Sequence, residues 1–104
     1  MSRGPDAATL LERRLLLAAQ AGGQDLIVGD VQSVPWASAT FNGARHRLTM
    51  QAAASPALDA WLQALPEAEL PLRGHLMADL AVLSAAAEGD RLRVEIEVLT
   101  VEDR

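Results

Sequence analysis

Cysteine, lysine and tyrosine are missing from these 104 residues, and only Trp36, Trp61 and Phe41 are aromatic. Without cysteine there is no disulfide framework and no thiol nucleophile, which is compatible with the cytoplasm. So few aromatic rings leave little for stacking on bases, and a formal net charge of −5 repels phosphate backbones. No basic patch is visible beyond Arg13-Arg14 and the pair Arg45/Arg47. A nucleic-acid partner is therefore disfavoured. All nine basic side chains are arginine and alanine is abundant, a pattern of GC-rich codon usage, so arginine by itself is no sign of anion binding. No apolar run approaches the roughly 20 residues that a membrane-spanning helix needs. Glu12, Arg13 and Arg14 interrupt the one stretch near the start that could form a signal-peptide core. The expectation is a soluble, cytoplasmic protein with no membrane partner.

What the chain does have is apolar periodicity. Half of its residues are hydrophobic, and its length suits one domain over residues 1–104 with a flexible lead-in at 1–5. A first helix begins at Asp6 or at the capping box Thr9-x-x-Glu12, and Gly22-Gly23 ends it. Ala8, Leu11, Leu15, Ala18 and Ala19 make its main stripe, while Leu10 and Leu17 lie nearly opposite. A strand or strand pair follows over Leu26–Val34, broken at Gly29-Asp30, with Pro35 marking a bend or an edge. Asn42-Gly43 reads as a tight hairpin turn. Beyond it, His46, Leu48, Met50 and Ala52 alternate with Arg45, Arg47, Thr49 and Gln51.

The second half repeats this order. Ser55-Pro56 opens a helix as N-cap and first residue, Leu58, Trp61, Leu62 and Leu65 form its stripe, and Pro66 stops it. In the next strand Leu72, Leu76, Ala78, Leu80 and Val82 share one face. Arg73, His75, Met77, Asp79, Ala81 and Leu83 share the other. Glu88-Gly89-Asp90 turns the chain into a last strand with Leu92, Val94, Ile96 and Val98 inward. The order α-β-β-α-β-β predicts an α+β two-layer sandwich, an antiparallel sheet with two helices on one face.

No catalytic signature is present. The glycines form neither a dinucleotide nor a phosphate-loop pattern, and no serine has the context of a nucleophile elbow. The expectation is no catalytic residue, no cofactor and no metal. His46 is the one polar residue on a buried strand face, and the bland reading is a core-edge histidine with satisfied nitrogens. The alternative groups His46, His75 and Asp79 as a polar, ligand or metal site, although alternation puts the latter two on the opposite face. Surplus apolar residues are the better clue. Met77, Leu83, Leu99 and Val101 lie on the sheet face away from the helices, and Leu10 and Leu17 on the far side of the first helix. These are the interface candidates, and they point to a homo-oligomer.

The stretch Gly43-Ala44-Arg45-His46-Arg47-Leu48-Thr49, a helix, and then Leu70-Pro71-Leu72-Arg73-Gly74-His75-Leu76 resemble small phage and gene-transfer-agent tail-completion (tail-terminator) proteins. The resemblance covers roughly the second half of the chain. It departs from that family in a shorter stretch between the first strands and a shorter spacing from His46 to His75. It implies a ring-forming structural part without catalysis, and so a protein that acts through protein contacts.

Overall fold

The computed structural model describes residues 6–103, so the lead-in expected at residues 1–5 lies outside them. Helix α1 (Ala7–Ala21), strands β1 (Ile27–Ala37) and β2 (Asn42–Ala53), helix α2 (Pro56–Ala64), a 3₁₀ turn (Leu65–Glu67), and strands β3 (His75–Glu88) and β4 (Arg91–Glu102) follow in order. The four strands form one sheet in the order β1-β2-β4-β3, antiparallel throughout. The fold is the α+β arrangement expected from periodicity. No helix among the described residues is long and apolar enough to cross a membrane.

Both helices start where side-chain caps allow. The Asp6 carboxylate accepts from the Thr9 N–H at 2.9 Å, which decides for the earlier of the two starts. Ser55 caps α2 through the Leu58 N–H at 2.9 Å, with Pro56 at the first helical position. Leu11, Leu15 and Ala19 of α1 and Leu58 and Leu62 of α2 are buried, and the core unites them with Leu48, Met50, Leu80, Val94, Ile96 and Val98. The buried stripe of α1 begins at Ala7 rather than Ala8. Leu10 packs partly against this core rather than lying on a free far side, whereas Leu17 is 53% exposed.

Register in the central pair matches the alternation of β2 and β4: Leu48 faces Ile96, Met50 faces Val94 and His46 faces Val98. The two edge strands depart from simple alternation. In β1 the break expected at Gly29-Asp30 is a bulge within one continuous strand, between Val28 and Val31. In β3 a bulge between Met77 and Asp79 inserts Ala78 and reverses the side-chain phase before it. Leu76, expected inside, is therefore 55% exposed, and Met77, expected outside, packs against the core. A second bulge lies between Val82 and Ser84, and Leu83 there is exposed.

Asn42-Gly43 is not the turn. Strand β1 ends at Ala37, and the reversal runs over Ser38–Phe41, where the Ser38 N–H donates to the Phe41 carbonyl at 2.8 Å. The Ser38 hydroxyl oxygen accepts from the Phe41 N–H at 3.1 Å. Gly43 sits inside β2 between Trp36 and Val101. A Cβ there would overlap the Thr100 carbonyl oxygen and press on the Trp36 ring at 2.8 Å, so the glycine serves close strand approach rather than a positive φ.

Truncating Ile96 to Ala is expected to cost about 2–5 kcal/mol by lost burial and a residual cavity. Leu76→Ala should move the denaturation midpoint far less, since its side chain lies on the open face. Urea unfolding of the two variants checks the phase reversal, and equal losses would refute it.

Candidate functional site

Two features stand out at the same end of the sheet, one on each face. On the helix side, His46 is 1% exposed and held from both ring nitrogens. Ser33 Oγ of β1 lies 2.7 Å from Nδ1, and Thr100 Oγ1 of β4 lies 2.9 Å from Nε2. The Thr100 hydroxyl donates onward to the Ala44 carbonyl at 3.4 Å. Strand register builds this network, because Ser33 stands opposite His46 and Thr100 opposite Ala44. Beside the ring is a cavity of about 260 Å³ bordered by Asp6, Ser33, His75, Thr100 and Glu102.

The β3 bulge explains why His75 borders it. With the phase reversed ahead of Ala78, His75 pairs with Glu102 on the helix side and joins His46, contrary to simple alternation. Asp79 stays on the outer face opposite Leu99, as alternation placed it, so the alternative grouping of all three does not form. Asp6 instead borders the cavity together with the two histidines. Its carboxyl lies below the ordinary value, chiefly through the Thr9 N–H and hydroxyl, with smaller help from His46 and His75. Burial pushes His46 down from its ordinary value; Asp6 opposes this and His75 adds to it. The ring is therefore neutral near neutral pH. Among the described residues, no group of three or more His, Cys, Asp or Glu converges to hold a metal ion.

The outer face carries the second feature. Cross-strand register lines up Trp36, Gly43, Val101 and Leu76 in one row and Val34, Arg45, Leu99 and Asp79 in the next. Val34 is 65% exposed and Leu99 and Val101 are half-buried. Phe41, 56% exposed, borders one shallow depression with Leu76, Asn42 and Glu102. Farther along the face the rows become charged, with Arg47 paired to Glu97 at 3.2 Å and Arg93 to Glu88 at 3.6 Å. Of the sheet-face interface candidates, Leu99 and Val101 fall in the apolar band, Leu83 lies farther along the edge strand, level with Glu95 and Ile96, and Met77 lies on the other side of the sheet. Leu17 is exposed on α1, away from this face. Val34, Phe41 and Leu76 were not foreseen. Val34 and Phe41 were visible only as apolar residues next to turns, and Leu76 needed knowledge of the bulge.

No protein-family model matches the chain, and no curated protein matches it by sequence. Among solved structures, a chain of the virion of a native gene transfer agent particle is similar, with a TM-score of 0.55 and 20% sequence identity. The likeness covers 99% of this chain and 75% of that one. At this identity it shows a common fold. The fold of this chain is one found in a gene-transfer-agent virion.

His46→Ala is expected to destabilise the protein by about 1–3 kcal/mol, because it strands two hydroxyls and leaves a void. Added Zn²⁺ should leave the melting temperature unchanged, since both ring nitrogens are engaged and a ligand bound only to the native state must raise that temperature. Thermal melts with and without Zn²⁺ check both points. A Zn²⁺-dependent rise that disappears in His46→Ala would make this a ligand site.

Proposed function

We propose that this chain is a non-enzymatic structural component of a phage-like particle, of the tail-completion kind, and that it works by contact with protein subunits, copies of itself among them. The observation that carries this reading is the apolar band of Val34, Trp36, Leu76, Leu99 and Val101 on the sheet face that neither helix covers. Single exposed apolar residues are ordinary on any surface, but a cluster of five on one face, with Arg45 between Val34 and Leu99, favours a contact surface. The virion neighbour supports the reading through its fold, and the tail-completion resemblance of the Gly43–Thr49 and Leu70–Leu76 stretches agrees with it. Burial of apolar surface is worth about 25 cal/mol per Å², so a self-contact over this band gains free energy. The neighbouring Arg45, Arg47 and Glu97 would fix orientation more than they drive association.

The wild-type protein is expected to be a homo-oligomer by light scattering on a sizing column. Leu76→Asp and Leu99→Asp should each dissociate it while leaving the circular-dichroism spectrum and melting curve close to wild type. Met77→Asp should instead unfold it, because that side chain belongs to the core side. A wild type that stays monomeric at millimolar concentration would defeat self-assembly through this face.

A further inference from the structure

His46 lies where three strands and a helix start meet, and its two ring nitrogens meet only neutral hydroxyls, which do not offset a charge. The Thr100 hydroxyl spends its proton on the Ala44 carbonyl, so its oxygen accepts from the His46 Nε2–H. The bare Nδ1 then accepts from the Ser33 hydroxyl. Among the described residues, this Ser33–His46 bond is the side-chain hydrogen bond that ties β1 to β2. Strand β1 needs such a tie. It is an edge strand, its ladder is interrupted by the bulge between Val28 and Val31, and Pro35 has no N–H to donate.

We propose that His46 is an acid-sensitive pin, and that proton uptake by its ring releases β1 over residues 31–37 from β2 together with the start of α1.

A proton on Nδ1 turns this acceptor into a donor, so the Ser33 hydroxyl hydrogen must rotate away and its oxygen accept instead, a neutral partner that does not offset a buried charge. The resulting imidazolium would sit at 1% exposure beside the first turn of α1, whose positive dipole end repels it. Among the described residues, the charged and titratable groups facing the same cavity are Asp6 from the start of α1, His75 from β3 and Glu102 from β4, and none from β1. Arg45 and Arg47, beside His46 in the chain, alternate to the opposite face. Asp6 and Glu102 attract an imidazolium, but both are exposed to water, and the Asp6 carboxylate already holds the Thr9 N–H. His75 opposes it. Burial is the larger influence on the ring and favours the neutral form.

The sign follows from this depressed pKa. The neutral ring contributes its full stability above the unfolded value of about 6.5, and that stability is lost as pH falls from there through the folded value. An edge strand next to a cavity of about 260 Å³ can admit water to the ring by local opening, without unfolding the central pair. Val34 and Trp36 of the apolar band ride on the same strand, so acid would also disturb that contact face; this consequence alone rests on the function proposed above.

The test is amide hydrogen exchange by NMR on the dilute, unassembled protein between about pH 7.5 and pH 5, the window in which histidine charges. It is read together with the ring-nitrogen shifts of His46. The expected result is a neutral ring protonated at Nε2 at the upper pH and a titration midpoint below about 6.5. Between those two values β1 protection should fall about tenfold per pH unit after correction for intrinsic rates, while β2 and β4 amides stay protected. His46→Gln, a neutral amide, should remove the acid dependence, and His75→Gln should keep it. A His46 midpoint at or above 6.5 would overturn the proposal, as would acid opening that persists in His46→Gln or loss of protection in all four strands together. Should His46→Gln fail to fold, the wild-type ring titration decides. Since the dilute protein is used, failure of self-assembly leaves this readout intact.

Discussion

The register between β2 and β4 is the constraint on which the other elements depend. These two central strands align His46, Leu48, Met50 and Ala52 with Val98, Ile96, Val94 and Leu92 on the helix side. A slip of one residue would put Arg47, Glu97, Arg45 and Glu95 against the helices, so one register is strongly preferred. Both helices are short and neither would persist alone in water; each is held by an apolar stripe pressed on this central pair. The edge strands then add outward from a fixed surface, and both can tolerate bulges because only one side of each is paired.

That hierarchy decides what could be read from the residues alone. Strands β2 and β4 alternate without interruption, and their inward and outward sets were legible from period-two patterning. The cap at Ser55 was legible because Ser-Pro is a local helix-start signal, whereas Asp6 stayed one of two starts until its bond to the Thr9 N–H was seen. The β3 bulge was not legible, since Ala78 has no feature that distinguishes an inserted residue from a paired one. Its effect spreads: it exposes Leu76, buries Met77 and turns His75 toward His46. Asn42-Gly43 misled for a different reason. A glycine required for close backbone approach and a glycine required for a turn look the same in a sequence, and only the Thr100 carbonyl and the Trp36 ring tell them apart.

The candidate sites were legible in proportion to how local they are. Burial of His46 followed from its own strand. Its partners did not, because Ser33 and Thr100 lie 13 and 54 positions away and meet it only through register. The same holds for the outer band. Leu99 and Val101 were found from alternation within β4, whereas Val34 and Leu76 joined them through pairing of the edge strands.

The two faces exchange character at one end of the sheet. Over most of its length the helix side is apolar, as at Leu48, Ile96 and Val82, and the outer side is charged, as at Arg47 and Glu97. At the end where β2 begins, the helix side carries Ser33, His46, Thr100 and His75, and the outer side carries Val34, Trp36, Leu76, Leu99 and Val101. The buried polar group is tolerated because the α1 residues above it, Ala7 and Ala8, are too small to fill the end of the core. A hydrogen-bonded imidazole closes that end without an unpaired ring nitrogen. Among the described residues, the outer apolar band has no such internal compensation, for neither helix reaches it. Local rules are broken at this one place on both faces: the histidine network satisfies the inner face within the chain, and the contact with further subunits proposed above would satisfy the outer one.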